Sequence, residues 1–122
     1  MTPAVFVTLV AAGSLGAVAR AWVGAAARRR WPRPGLGTLA VNLSGAFLLG
    51  LWAGLPGLPG AWIEVAGAGF LGAFTTFSTW MVEVTAAWRG GRRGAVVVEL
   101  GATLALGVAL AALGFALGRS WG

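Results

Sequence analysis

Four long apolar stretches alternate with three short connections along the chain. Each stretch is close to the ~20 residues that an α-helix needs to cross the hydrocarbon core of a bilayer. The connections contain the Pro, Gly and Arg residues that end helices. The pattern predicts an all-α membrane protein in which residues 1–122 form a single domain of four transmembrane helices. The predicted spans are residues 3–27, 36–55, 61–88 and 95–117.

Composition supports this prediction and removes several classes of function. Hydrophobic residues make up 58% of the chain, and its 122 residues include only 9 basic and 3 acidic ones. The sequence contains no Cys and no His, which excludes disulfides, thiolate nucleophiles and imidazole metal ligands or proton relays. We therefore expect a protein that is not an enzyme.

Positive charge is concentrated on one side of the predicted bundle. Because four helices run back and forth, the first and third connections lie on the same side of the membrane. Seven arginines belong to that side, and only Arg119 belongs to the other. The seven are Arg28, Arg29, Arg30, Arg33, Arg89, Arg92 and Arg93. The positive-inside rule predicts that both basic connections face the cytoplasm and that both termini lie outside, so nucleic acid is not an expected partner.

The middle of the third stretch is unusually polar for a membrane span. Its sequence GFLGAFTTFSTW (69–80) contains Thr75, Thr76, Ser78 and Thr79, and glycines precede them at positions 67, 69 and 72. A break in a transmembrane helix frees backbone groups, which is tolerated only where protein, water or an ion satisfies them. The sequence therefore predicts a broken third helix with an ion site, and a tilted, continuous helix remains the alternative.

Aromatic residues and an amide accompany these hydroxyl groups. Phe77 and Trp80 lie one helical turn apart, and Asn42 lies within the second span. Aromatic rings carry a partial positive charge at their edges, so ring edges beside hydroxyl and amide donors suit a small anion. For any single Thr, a hydrogen bond to a carbonyl of its own helix is the simpler interpretation. Glu83, near the end of its span, can extend to the membrane interface.

Three motifs in the same order resemble the Fluc (CrcB-like) fluoride channel family. GFLGAFTTFSTW is similar to the third-helix signature G-x-x-G-[GA]-x-[ST]-T-F-S-T-F of that family. GTLAVN (37–42) resembles its second-helix motif G-T-L-x-V-N, and GSLGAVAR (13–20) resembles its first-helix glycine pattern ending in Arg. One departure is Trp80, which stands where the family most often has Phe and which adds an indole N–H donor.

The resemblance implies an antiparallel dimer with two fluoride pathways for passive export of fluoride across a bacterial plasma membrane. It also implies a structural Na⁺ ion at the dimer centre, bound by the backbone carbonyls of Gly72 and Thr75. The residues that it assigns to the fluoride pathway are Asn42 as a donor, Phe77 and Trp80 as aromatic positions, Ser78, Thr79 and Thr38 as a polar track, and Arg20 as a vestibule residue. Thr103 is the candidate from the fourth helix.

Two questions stay open at this point. A homodimer with subunits in both orientations needs nearly balanced connections, so the charge bias favours a partner that is a related subunit with the opposite bias. The function has two alternatives, a small proton-coupled multidrug exporter and a structural subunit that conducts nothing. The exporter requires an acid in the first span, and residues 3–27 contain none.

Overall fold

The structure is a computed structural model that describes residues 1–33 and 35–122. The regular elements of these residues are all helices, and four helical segments are long and apolar enough to cross a membrane, which confirms this part of the prediction. The third of these segments, Gly60–Arg89, is called the third span below. The elements are α1 (Pro3–Arg30), α2 (Leu36–Gly54), α3 (Gly60–Glu64), a π-helix (Val65–Leu71), α4 (Gly72–Phe74), α5 (Phe77–Arg89) and α6 (Arg93–Arg119).

Local sequence signals determine where α1 begins and ends. Thr2 caps its N-terminus by accepting the Val5 N–H at 3.3 Å, and Pro3 occupies the first turn, where an N–H is not needed. The last turn contains the arginines 28–30, whose charge interacts favourably with the free carbonyls of a helix C-terminus. The helix therefore continues past residue 27, where the hydropathy pattern placed the end of the span.

Glycines allow α2 and α6 to pack backbone against backbone. A Cβ atom at Gly50 would overlap the Ala111 carbonyl, and one at Gly114 would overlap the backbone of α2. Gly54 and Gly118 form the same kind of contact one turn further along. Small residues at this spacing let helices approach closely in lipid, where van der Waals packing stabilises helix association. These two pairs of glycines, each four residues apart, thus join two helices of the same chain.

The third span contacts both α1 and α2. A Cβ atom at Gly16 would overlap the Phe70 carbonyl, and one at Gly69 would lie 3.1 Å from the Leu9 carbonyl. The π-helix therefore packs directly against the middle of α1. Large apolar side chains stay exposed on the outer faces, including Trp22 at 75% and Val108 at 70%. Such a surface suits contact with lipid acyl chains.

Candidate ion-binding site

The α-helix of the third span is interrupted at Thr75 and Thr76. Helix α4 ends at Phe74 and α5 begins at Phe77. Between them the backbone is extended, with φ −77° and ψ 158° at Thr75 and φ −142° and ψ 120° at Thr76. Within a membrane, the backbone groups freed by such an interruption require partners from elsewhere in the protein.

Asn42 on α2 forms two hydrogen bonds with the backbone at the interruption. Its Oδ1 accepts the Thr76 N–H at 2.8 Å, and its Nδ2 donates to the Thr76 carbonyl at 2.9 Å. Thr76 in turn caps α5, because its Oγ1 accepts the Thr79 N–H at 3.3 Å. Thr76 is buried, and a buried backbone group without a partner costs about 1–3 kcal/mol. The side chain of Asn42 therefore satisfies both backbone groups of Thr76.

Carbonyl groups lose their α-helical donors at the interruption, and those of Gly72 and Thr75 are among them. In a continuous α-helix, the N–H of residue i donates to the carbonyl of residue i−4. The donors for Gly72 and Thr75 would be the N–H groups of Thr76 and Thr79, and these donate to side-chain oxygens instead. Gly72 is exposed and Thr75 is half-buried. These two carbonyls are the oxygens that the sequence resemblance assigns to a cation.

A cavity of about 370 Å³ lies beside the interruption. Among the described residues, its lining side chains carry no charge. They include Asn42, Thr75, Thr76, Phe77, Trp80 and Thr103. Phe77 is 69% exposed, and its ring meets that of Trp80 edge to face, with centroids 5.9 Å apart and an interplanar angle of 67°. The residues that line the cavity therefore combine an amide, hydroxyl groups and two aromatic rings, the kinds of group that can interact with an anion without a fixed positive charge.

Trp80 brings a hydrogen-bond donor that a Phe would not. Its Nε1 is buried and finds no acceptor within residues 1–33 and 35–122. The ring also packs against the buried side chains of Val84, Ala87 and Val96, which joins α5 to α6. The indole at this position therefore has a packing role as well as a place on the cavity wall.

Polar residues continue from the interruption towards the first connection. A second cavity, of about 150 Å³, shares Thr76 with the first and also includes Arg20, Thr38 and Thr79. Thr38 is buried, and its Oγ1 donates to Glu83 Oε1 at 2.8 Å. A third cavity, of about 250 Å³, shares Thr38 with the second and includes the following charged residues of both signs: Arg28, Arg33 and Glu83.

The structure thus divides the predicted pathway residues between two adjoining cavities. Asn42, Phe77 and Trp80 line the first, and Arg20, Thr38 and Thr79 line the second. Ser78 is exposed and lines neither of them. Their roles in transport stay predictions.

Sequence reasoning missed the partnership between Glu83 and Thr38. The position of Glu83 near the end of its span predicts a side chain that extends to the interface, whereas its Oε1 accepts the Thr38 hydroxyl proton and its Oε2 is buried. A signal was present in the spacing, because Thr76, Thr79 and Glu83 follow the i, i+3, i+7 pattern of one helical face.

Four helices are long enough to cross a membrane, and among them lie one cavity lined by uncharged residues and two that include charged residues. These features define a multi-pass membrane protein with a candidate ion site inside its spans. Residues 7–115 match the family described as CrcB-like protein, Camphor Resistance (CrcB), and the chain belongs to this family.

Similar proteins match nearly the whole chain. The chain is 46% identical to fluoride-specific ion channel FluC 1 of Symbiobacterium thermophilum, an alignment that covers 96% of this chain and 98% of that protein. It is 50% identical to fluoride-specific ion channel FluC 1 of Geobacillus kaustophilus over 88% of this chain and 91% of that protein. It is 39% identical to fluoride-specific ion channel FluC 2 of Mycobacterium tuberculosis, with 93% of this chain and 90% of that protein covered.

Proposed function

We propose that this chain forms a fluoride-selective ion channel rather than an enzyme. The observation that supports this most is the convergence of Asn42, Phe77 and Trp80 on one uncharged cavity beside the interruption at Thr75. Conduction requires binding that is strong enough to admit an ion and weak enough to release it. Neutral donors and ring edges meet this requirement, whereas a fixed cation would hold the anion more tightly.

The proposed pathway continues through the second cavity to the basic first connection. Thr38 and Thr79 offer hydroxyl groups along it, and Arg20 and Arg28 lie on its wall. Arginines at the mouth raise the local concentration of anions. Glu83 is a negative neighbour of this route, and its hydrogen bond with Thr38 occupies the hydroxyl proton that would otherwise point to an anion. Movement of Thr38 away from Glu83 is therefore part of the proposed permeation step.

The Gly72 and Thr75 carbonyls are the proposed ligands of a structural Na⁺ ion. The residues fit such an ion, because both carbonyls have lost their helical N–H donors to side-chain oxygens. Neutral backbone oxygens are suitable ligands for a hard monovalent cation. When bound, the ion would supply a positive charge that attracts the partial negative charges of these carbonyl oxygens, and the chain supplies their fixed positions.

Two carbonyls are too few ligands for a cation, and we propose that a second subunit contributes the others in an antiparallel dimer. The exposed positions of Gly72 and Phe77 are consistent with an interface at this face. The partner is a second copy or a related subunit with the opposite charge bias. The seven-to-one distribution of arginines favours a fixed orientation of each subunit and therefore favours the related subunit.

The proposed physiological role is passive export of fluoride from the cytoplasm across a bacterial plasma membrane. Among the alternatives, the proton-coupled exporter needs an acid in the first span, and α1 contains none. The structural subunit differs from the channel in one measurable way, since it predicts no ion flux.

Ion efflux from liposomes tests the proposal. Purified protein is reconstituted into vesicles loaded with fluoride or chloride, and efflux is followed with ion-selective electrodes. We expect efflux of fluoride but not of chloride. Phe77→Ile should lower the fluoride rate by at least about tenfold, which corresponds to about 1.4 kcal/mol.

Phe6→Ile is the matched control, because Phe6 is also exposed but lies on α1 away from the cavities. It should leave the rate unchanged. Absence of flux from folded wild-type protein would favour the structural subunit, and equal flux from wild type and Phe77→Ile would remove Phe77 from the pathway.

A further inference from the structure

The hydrogen bonds of the interruption come from a neighbouring helix as well as from the third span itself. Asn42 on α2 binds both backbone groups of Thr76, at 2.8 and 2.9 Å. We infer that Asn42 is the positioning residue that keeps Thr76 out of the α-helical conformation. The Gly72 carbonyl is thereby left without a helical donor and is available to a cation. The interruption is then a property of the folded subunit, present before a cation or a second subunit binds.

The geometry of an amide explains why Asn is suited to this position. Restoring the continuous helix would require the Thr76 N–H to leave Asn42 Oδ1 and to donate to the Gly72 carbonyl. That change would also break the bond from Asn42 Nδ2 to the Thr76 carbonyl. One uncharged side chain that both donates and accepts therefore stabilises the interrupted conformation of the third span through two hydrogen bonds at once.

A second contact from α2 stabilises the same conformation. Gly45 lies one turn after Asn42 and packs against Thr75, since a Cβ atom at Gly45 would overlap the Thr75 methyl group. Helix α2 thus approaches both extended residues, through a polar group at Thr76 and through close packing at Thr75. Neither contact involves an ion.

Asn42 also links the candidate cation site to the cavity beside the interruption, where the proposed function places an anion. An amide nitrogen carries two hydrogens, and only one of them is used by the Thr76 carbonyl. The residue lines the cavity beside Phe77. The same side chain that positions the Gly72 carbonyl thus has one N–H left for an anion. This link rests on the proposed function, whereas the role of Asn42 in the interruption does not.

Three variants separate these roles. Asn42→Leu has a similar size but neither donates nor accepts, so the Thr76 N–H is released to the Gly72 carbonyl. Asn42→Asp keeps an oxygen that accepts the Thr76 N–H. Ser44→Ala is the control on the same helix, because the Ser44 hydroxyl donates only to carbonyls of its own helix, Ala40 at 2.7 Å and Val41 at 3.0 Å.

Two measurements on full-length protein in lipid bilayers test the inference. Backbone ¹³C chemical shifts from solid-state NMR report whether Thr75 and Thr76 are extended or helical in Na⁺-free buffer. The Na⁺ concentration that gives half of the maximal rise in melting temperature reports the affinity of the cation site.

We expect extended shifts for wild type, Asn42→Asp and Ser44→Ala, and helical shifts for Asn42→Leu. The half-maximal Na⁺ concentration should rise at least about tenfold in Asn42→Leu, as expected when two hydrogen bonds that keep a ligand available are lost. In Ser44→Ala it should not change.

Two results would overturn the inference. One is extended shifts at Thr75 and Thr76 in folded Asn42→Leu together with an unchanged Na⁺ requirement. The other is wild-type protein that becomes extended only after Na⁺ is added, and this second result decides the question even where Asn42→Leu does not fold. If Na⁺ stabilises no variant but the shifts change as expected, the cation site is wrong and the role of Asn42 stands.

Discussion

Helix α2 makes two contacts that differ in kind. Towards α6 it presents Gly50 and Gly54, which bring the two backbones together with no side chain between them. Towards the third span it presents Thr38 and Asn42, which form hydrogen bonds with Glu83 and with the backbone at the interruption. The first contact is close packing of backbone against backbone, and the second is a set of hydrogen bonds between polar groups.

The difference shows how a small membrane protein can contain an irregular segment. In lipid, close packing stabilises helix pairs through many weak contacts and leaves no room for rearrangement. Polar partners stabilise a particular backbone conformation, because an unpartnered N–H or carbonyl is costly in an apolar environment. The α2–α6 pair therefore provides a rigid support, and α2 presents from its other face the groups that an interrupted helix needs.

The largest expected effect comes from filling the α2–α6 contact. Gly114→Leu places a side chain against the backbone of α2, which cannot move aside as a side chain can. Overpacking typically costs about 1–3 kcal/mol, and we expect the upper end of this range or failure to fold. Equilibrium unfolding in mixed micelles measures the change.

Gly107→Leu is the control, because a Cβ atom there would have no neighbour within 4 Å among the described residues. If both variants were equally stable, α2 and α6 would not be in the close contact described here.

Removal of the Thr38 hydroxyl tests the polar contact away from the interruption. Thr38→Val keeps the shape of the side chain but leaves Glu83 Oε1 without its donor at 2.8 Å. We expect a loss of about 1–3 kcal/mol in unfolding free energy, the cost of a polar group left without a partner. Thr8→Val serves for comparison, since the Thr8 hydroxyl bonds only its own helix at an exposed position. Similar losses for the two variants would show that the Thr38 hydrogen bond is not specially stabilising.

Removal of the Thr76 hydroxyl tests the cap of α5. Thr76→Val takes away the oxygen that accepts the Thr79 N–H, and loss of such a cap costs typically about 1 kcal/mol. The amide exchange rate of Thr79, measured by NMR, should rise while that of Ala86, in the C-terminal half of α5, stays the same. Equal protection of Thr79 in both proteins would mean that its N–H bonds the Thr75 carbonyl, as in a continuous helix.

The smallest effect is expected at Trp80. Trp80→Phe retains a ring edge at the cavity and removes an Nε1–H that has no acceptor within the described part of the chain. We expect fluoride efflux within about threefold of wild type, a difference below 1 kcal/mol. A much larger loss would show that the indole N–H itself takes part in conduction, and a much larger gain would show that Trp80 obstructs the pathway.

Hydropathy was sufficient to predict the number of spans, but not where their helices end. The hydropathy pattern predicts spans over residues 95–117 and 3–27, whereas α6 runs from Arg93 to Arg119 and α1 reaches Arg30. Arginine is a good helix former, and its charge is favourable at a helix C-terminus. A hydropathy pattern ends at the first charged residue, while the helix itself continues.

The partners of the polar residues could not be predicted from the sequence. Its pattern indicated that Asn42 and the Thr75–Thr76 pair are unusual in a membrane, but not that they bind each other, because the two segments are far apart in the chain. The glycine spacing at Gly50 and Gly54 does not by itself identify which helix packs against it, because the same small-residue spacing serves any close helix pair. The π-helix over Val65–Leu71 was not predicted either, since its glycines only indicated weak helix propensity.

The arrangement on which the proposed site depends is a third span that leaves the α-helical conformation at Thr75 and Thr76, with Asn42 taking over the backbone hydrogen bonds of Thr76. Electron cryomicroscopy of the wild-type protein in lipid nanodiscs, at a resolution that shows carbonyl oxygens, tests it most directly. We expect extended backbone at both residues, with the Asn42 amide facing the N–H and carbonyl of Thr76. A continuous helix in which the Thr76 N–H meets the Gly72 carbonyl, with the Asn42 side chain turned away, would contradict it.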